Sequence, residues 1–373
     1  MKENPLRKIE SYGQSIWLDY IHRHLIESGG LQRLIDEDGL RGVTSNPSIF
    51  DNAIEGSDVY DDTIKTLAHQ GKRVEEIYLA LTTEDVGAAA DIFKPTYDRL
   101  QGRDGFVSIE VNPHLAHDAQ GTVEEARRLW KILSRPNVFI KVPATLEGLQ
   151  SIRQLISEGI SINVTLLFGL QRHRMVAEAY VSGLEDRAAK GLPVENIASV
   201  ASFFLSRIDV LVDSMLEKSS VDDAKRLRGQ IAIASAKIAY QMYKRIFDSE
   251  RFRKLADLGA KTQRVLWAST STKNPEYSDV KYVEALIGRD TVNTLPLETL
   301  EAYRDHGNPA SRLEEKLEEA HKNLDRLAGL GIDIDKVTQQ LEDEGIEKFN
   351  KPFDSLMSNL EKKRGSFCLA EAS

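Results

Sequence analysis

The chain has 373 residues, a net charge of −9, and 41% hydrophobic against 29% charged residues, with a pI near 5.5. This balance supports a large core and excludes a disordered chain, and the acidity argues against a dedicated nucleic-acid binder. The single cysteine, Cys368, excludes an intrachain disulfide and a cysteine-rich metal site, and it suits a reducing compartment. No apolar run approaches the roughly 18 residues of a membrane span. The first residues, MKENPLRKIESYG, lack the apolar stretch of a signal peptide. A cytoplasmic protein with neither membrane nor nucleic acid as partner is expected.

Eight short apolar runs are expected as strands. In chain order they are QSIWLD (14–19), RGVTSN (41–46), FVSIEV (106–111), NVFIKV (137–142), ISINVT (160–165), IASVASFF (197–204), RVLWAS (264–269) and DTVNTL (290–295). They are apolar nearly throughout rather than alternating, as fully buried parallel strands are. Helical patterns lie between them. Thr82-x-x-Asp85 is expected to open a helix that Pro95 kinks or ends. Thr122-x-x-Glu125 is expected as a capping box before an apolar stripe at Ala126, Leu129, Trp130 and Leu133. Thr145 is expected to cap a helix with Leu149, Ile152 and Ile156 on one face.

Alternating strands and helices predict an α/β fold, a (β/α)8 TIM barrel, ahead of a doubly wound open sheet. No GxGxxG or GxxxxGK[ST] follows the early strands, which weakens the nucleotide-binding form of the open sheet. At about 150 residues per domain the length alone suggests two domains. The absence of a linker favours one, spanning 1–373, with the barrel at about 14–296 and a helical C-terminal extension at about 297–373. The connections 47–105 and 205–263 read as extra helices. In the tail, Leu313, Leu317, Ala320, Leu324 and Leu327 form a helical stripe, and Val337 and Leu341 begin a further helix.

In such a barrel the chemistry sits where strands end. Those ends carry Asp19, Thr44 with Asn46, Glu110, Lys141, Asn163 with Thr165, Ser202 leading to Arg207, Ser269 to Lys273, and Asn293 with Thr294. Lys141 is the sharpest signal, because it lies among Phe139, Ile140, Val142 and Pro143. Apolar surroundings favour the neutral amine of a lysine, and a neutral amine can attack a carbonyl to form a Schiff base. A structural ion pair with Glu110 or Asp19 would also explain it. Two carboxylates near one amine permit proton shuttling. Asn46 and Asn163 could hold substrate hydroxyls or satisfy backbone groups, and Thr165 could position a water. Arg207 could grip a phosphate bidentately. His114-x-x-His117 lacks a third ligand at metal-site spacing and reads as a surface loop. His22 and His24 read as solvent-facing.

The segments GVTSNPSIF (42–50), VSIEVNP (107–113), FIKVPAT (139–145), INVTLLF (162–168), SFFLSR (202–207) and WASTSTKNP (267–275) together resemble the transaldolase family, and within it the longer bacterial subfamily. The resemblance covers all but the termini. It implies that Lys141 is the Schiff-base lysine. Glu110 would be an acid/base working through a water held by Thr165, and Asp19 the carboxylate that handles a substrate hydroxyl proton. Asn46 and Asn163 would bind the dihydroxyacetone moiety, with Thr44 and Ser202 beside them. Arg207 and Ser269 would bind phosphate. One departure is visible: where the better-known branch has a second phosphate-binding arginine, this chain has Ser271, and Lys273 is the candidate for that charge.

The implied activity is a metal-independent transferase of the non-oxidative pentose phosphate pathway, acting on sugar phosphates, with no cofactor because the iminium itself is the electron sink. The alternative is a fructose-6-phosphate-type aldolase that releases free dihydroxyacetone. Phe204, Glu110 and the chain length fit the transferase better. A monomer and a homodimer both remain compatible with the sequence.

Overall fold

A computed structural model describes residues 4–369, with the side chains of residues 222 and 369 excepted. Eight parallel strands close into a barrel in sequence order. They are β1 (Gln14–Asp19), β2 (Gly42–Thr44), β3 (Phe106–Glu110), β4 (Val138–Pro143), β5 (Ile162–Leu167), β6 (Ser199–Phe204), β7 (Arg264–Ala268) and β8 (Thr291–Leu295). The expected (β/α)8 barrel is therefore the fold. Strand ends shift by one or two residues, the ordinary scatter of such boundaries. The largest shortening is at β2, which stops at Thr44. Asn46 then caps the next helix by accepting a hydrogen bond from the Ile49 N–H at 3.1 Å, and Pro47 takes the first helical position, where its missing N–H is harmless.

The connection between β2 and β3 holds three helices, Pro47–Glu55, Asp61–His69 and Val74–Arg99. Two expected helix starts are corrected. Thr82 and Asp85 lie inside Val74–Arg99, whose start is set by the Glu76 carboxylate accepting from the Arg73 N–H at 3.0 Å. Asp85 is instead buried against Arg23 and Tyr60. Pro95 does not end this helix. It lies one turn before the terminus, between the buried Phe93 and Thr96, and packing onto β3 outweighs the single hydrogen bond lost. Likewise the capping box at Thr122 is absent. The helix starts at Ala119, with Asp118 as its cap, and the buried Thr122 hydroxyl donates to the Leu115 carbonyl. Thr145 does cap Leu146–Glu158 as expected, accepting from Gly148 N–H at 3.0 Å.

The N-terminal mouth of the barrel is sealed by a buried polar cluster. The Asp104 carboxylate accepts from Ser15, from the Trp17 indole and from Arg264. The opposite mouth is covered from outside. The helix Ile334–Leu369 crosses it and touches β5, the helices of the β2–β3 connection and the helix Ser206–Glu217. At Gly345 the helix lies tightly against β5, where a Cβ would stand 3.1 Å from Leu166 Cδ2. The Arg172–Glu342 ion pair (3.2 Å) is nearly buried beside it. No helix among the described residues is long and apolar enough to cross a membrane.

Candidate active site

Strand register brings the charged strand residues to one level. Glu110 is the partner of Lys141 across β3 and β4, and Lys141 that of Asn163 across β4 and β5. On the other wall Asp19 is level with Thr44. The Lys141 side chain is 6% exposed and that of Glu110 8%, so both are withdrawn from solvent. The Lys141 amine donates to the Ser45 carbonyl at 2.8 Å and lies 3.6 Å from Glu110 Oε1. The hydrogen bond reaches round the barrel to the residue after β2.

The two carboxylates do not behave as surface acids. Burial pushes Glu110 up to about 7, with Asp19 adding repulsion and Lys141 opposing the rise. Asp19 is also raised by burial, against the attraction of Lys141 and the hydrogen bond from Thr44. The Thr44 hydroxyl donates to Asp19 Oδ1 at 2.7 Å and stands 2.8 Å from the Thr294 hydroxyl. Glu110 Oε2 and the Thr165 hydroxyl are buried and make no hydrogen bond within the protein. Unsatisfied polar atoms of this kind are rare in a core, and these two sit on β3 and β5, the strands either side of the one that carries Lys141.

Above these groups lies a cavity of about 480 Å³, within the range of small-molecule sites. Asp19, Thr44, Asn46, Lys141, Thr165, Ser202, Arg207, Ser269 and Lys273 line it. Glu110 and Asn163 are not on its wall. Asn163 is fully buried, accepting from the Ser202 hydroxyl at 2.7 Å and donating to Ser108 at 3.0 Å. It fixes Ser202, and its own hydrogen bonds are spent inside the floor. A larger cleft, of about 690 Å³, lies at the opposite end of the barrel, lined by Tyr12, Tyr240 and Arg289. It holds none of the strand-end residues.

The far side of the cavity is cationic. Arg207 is the second residue of Ser206–Glu217. Its guanidinium faces the rings of Phe204 and Phe349, at 5.5 and 6.0 Å, and its buried Nη1 has no partner in the protein. Burial lowers its proton affinity, while Glu344 and Asp19 oppose that. Ser269 adopts a positive φ of 55°, rare for serine. It is held there by the Ser206 N–H donating to its carbonyl at 3.0 Å and by a hydroxyl pair with Ser206 at 2.8 Å. Lys273 is exposed and donates to the Ser271 hydroxyl at 2.6 Å.

Several wall residues were not anticipated, among them Ser48, Asn52 and Glu298. Lys348 and Phe349, from the C-terminal helix, line the same cavity, and the Phe349 ring lies 6.0 Å from the Lys141 amine. In the sequence Phe349 is one apolar position in a helical stripe, which carries no hint of a site. Of the histidines, His24, His114 and His117 are exposed, the last two paired with Asp354 and Glu147. His22 is a correction. It is half-buried, stacked on Tyr20 and edge-on to Tyr60, and it caps the helix Arg23–Glu27. Among the described residues no group of three or more His, Cys, Asp or Glu could hold a metal ion.

The model of the transaldolase/fructose-6-phosphate aldolase family matches residues 16–360. A transaldolase of Trichodesmium erythraeum is 49% identical, over 97% of this chain and 98% of its own length. Those of Thiobacillus denitrificans and Mycolicibacterium smegmatis are each 46% identical, over 96% of this chain and 99% and 97% of their own. Coverage of this extent, at this identity, on a barrel with a lysine among carboxylates, places the chain in the transaldolase/fructose-6-phosphate aldolase family.

Proposed function

We propose that the chain is a transaldolase that moves a dihydroxyacetone unit from sedoheptulose 7-phosphate to glyceraldehyde 3-phosphate, giving erythrose 4-phosphate and fructose 6-phosphate. The carrying observation is the Lys141 amine, withdrawn from solvent, 3.6 Å from a carboxylate that burial keeps protonated up to about pH 7. The names of the relatives support the same reaction.

In this reading the Lys141 amine attacks the ketone carbon of the donor. Protonated Glu110, acting through a water held by Thr165, delivers the proton with which the carbinolamine loses water and becomes an iminium. Asp19 takes the C4 hydroxyl proton. The C3–C4 bond breaks, its electron pair passes to the iminium as an enamine, and the aldose leaves. The enamine carbon attacks the aldehyde carbon of the acceptor, Asp19 returns its proton to the new hydroxyl, and hydrolysis frees Lys141. Asn46 acts on the three-carbon unit, with Thr44 holding Asp19, and Asn163 holding Ser202 at the floor. Arg207, Ser269 and Lys273 receive phosphate. The acidic composition and the lone cysteine favour a cytoplasmic place in the non-oxidative pentose phosphate pathway.

The test is trapping. Borohydride with fructose 6-phosphate is expected to leave a stable three-carbon adduct on Lys141 and to inactivate the enzyme, and Lys141→Ala to lose both adduct and turnover. Near-normal turnover in Lys141→Ala would end this reading.

A further inference from the structure

The cationic end of the cavity has one buried guanidinium, Arg207, whereas a phosphate monoester carries about −1.5 to −2 charges at neutral pH. One cation leaves that charge undercompensated in a partly enclosed site. Two lysines on the wall are candidates for the remainder, Lys273 and Lys348. Lys273 is carried by the exposed segment after β7, and its amine is engaged with Ser271 at 2.6 Å. Lys348 is carried by a docked helix. Its neighbour Phe349 is buried with its ring 6.0 Å from the Arg207 guanidinium, and Gly345, one turn earlier, packs against Leu166 and Phe168. The backbone at 348 is therefore fixed at the rim, and only the flexible side chain has to move.

The Lys348 amine donates to Glu344 Oε2 at 3.0 Å, and the other oxygen of Glu344 accepts from Gln340 at 2.8 Å. Glu344 also feels the charge of Arg207. One carboxylate thus serves two cations of the cavity wall. The ion pair is half-exposed, the Lys348 and Glu344 side chains being 53% and 41% exposed, so it is weak and an incoming dianion can displace it.

We infer that Lys348, from the C-terminal helix, is a phosphate-binding residue of this cavity, and that Glu344 is its counter-ion when no phosphate is bound. The inference rests on the reading of the occupant as a sugar phosphate. It gives the extension a chemical task at the barrel mouth.

The experiment compares the full chain with Lys348→Ala, Lys348→Arg and Lys273→Ala, at saturating fructose 6-phosphate. Acceptors are erythrose 4-phosphate and unphosphorylated erythrose, and inorganic phosphate is the inhibitory probe. Lys348→Ala is expected to lower the ratio of kcat/KM for phosphorylated over unphosphorylated acceptor about tenfold, and to raise the inhibition constant of inorganic phosphate similarly, the worth of one charge-assisted hydrogen bond. Lys348→Arg should restore most of both. Changes within about twofold for Lys348→Ala, or equal losses for the two acceptors, would overturn the inference, since a merely structural role lowers both alike. Borohydride trapping on the same samples separates the two readings. An adduct on Lys141 with unchanged phosphate inhibition in Lys348→Ala refutes the Lys348 role alone, and no adduct in the unsubstituted chain refutes both.

Discussion

Replacing Glu110 by glutamine should make the protein more stable at alkaline pH than at acid pH, relative to the unsubstituted chain. Glutamine keeps the shape of the protonated acid and removes the titration. Burial raises Glu110 from its ordinary 4.5 to about 7, so between these values the native state holds a proton that the unfolded chain has lost. Stability from this group is complete below about pH 4.5 and is lost as pH rises through about 7. Each pKa unit is worth about 1.4 kcal/mol, so ionising Glu110 costs the fold roughly 3 kcal/mol, most of it between about pH 4.5 and 7. Asp19 titrates in both chains and cancels, apart from its repulsion of Glu110. Urea midpoints for the two proteins, converted with a shared slope, give the difference at each pH. A Glu110→Gln advantage that grows by about 3 kcal/mol from acid to alkaline pH is expected. Parallel curves would refute the claim that this carboxyl is held protonated by burial, and with it the reason to assign it the role of acid.

Two further substitutions probe the site and the frame beneath it. Arg207→Ala should raise KM for phosphorylated acceptors on the order of 100-fold, as loss of a bidentate charge-assisted contact implies. Steady-state kinetics with phosphorylated and unphosphorylated acceptors check it, and an equal rise for both would reject the phosphate role. Gly148→Ala would set a Cβ 2.0 Å from the Pro143 carbonyl oxygen at the end of β4. It should cost roughly 3 kcal/mol or more by thermal or urea denaturation, because backbone rather than a side-chain tip must give way. Gly329→Ala, which meets nothing within 4 Å, is the control.

The barrel was legible in the sequence because its strands are apolar on both faces, a pattern that only a sheet covered on both sides produces. Lys141 and Glu110 were legible for the opposite reason. Charge inside such a run is expensive, so it marks chemistry or a buried pair. Helix starts were less legible. Thr122 and Thr82 carry the letters of a cap, but helical backbone already begins upstream, at Ala119 and Val74, and tertiary packing decides which hydroxyl is a cap. The roles of neighbouring polar residues differ for the same reason. Asn163 and Ser202 look alike as strand residues, yet one is spent in the floor while the other reaches the cavity wall.

How the extension docks was hidden because its signal is shared between two distant segments. In β5 the register shifts between Val164 and Leu167, and Leu166 takes a positive φ of 55°, a conformation that costs of order 1 kcal/mol or more and persists only when its surroundings over-determine it. The surroundings here include the C-terminal helix. At the place where Leu166 and Phe168 rise from the barrel, the helix has Gly345, with no side chain to meet them. That close approach sets Phe349 over Lys141 and Arg207 and Lys348 at the rim. A strained leucine in a strand and a glycine in a helix look like two local irregularities when read apart. Together they form one joint, which docks the extension where the amine and the cationic end of the cavity both feel it.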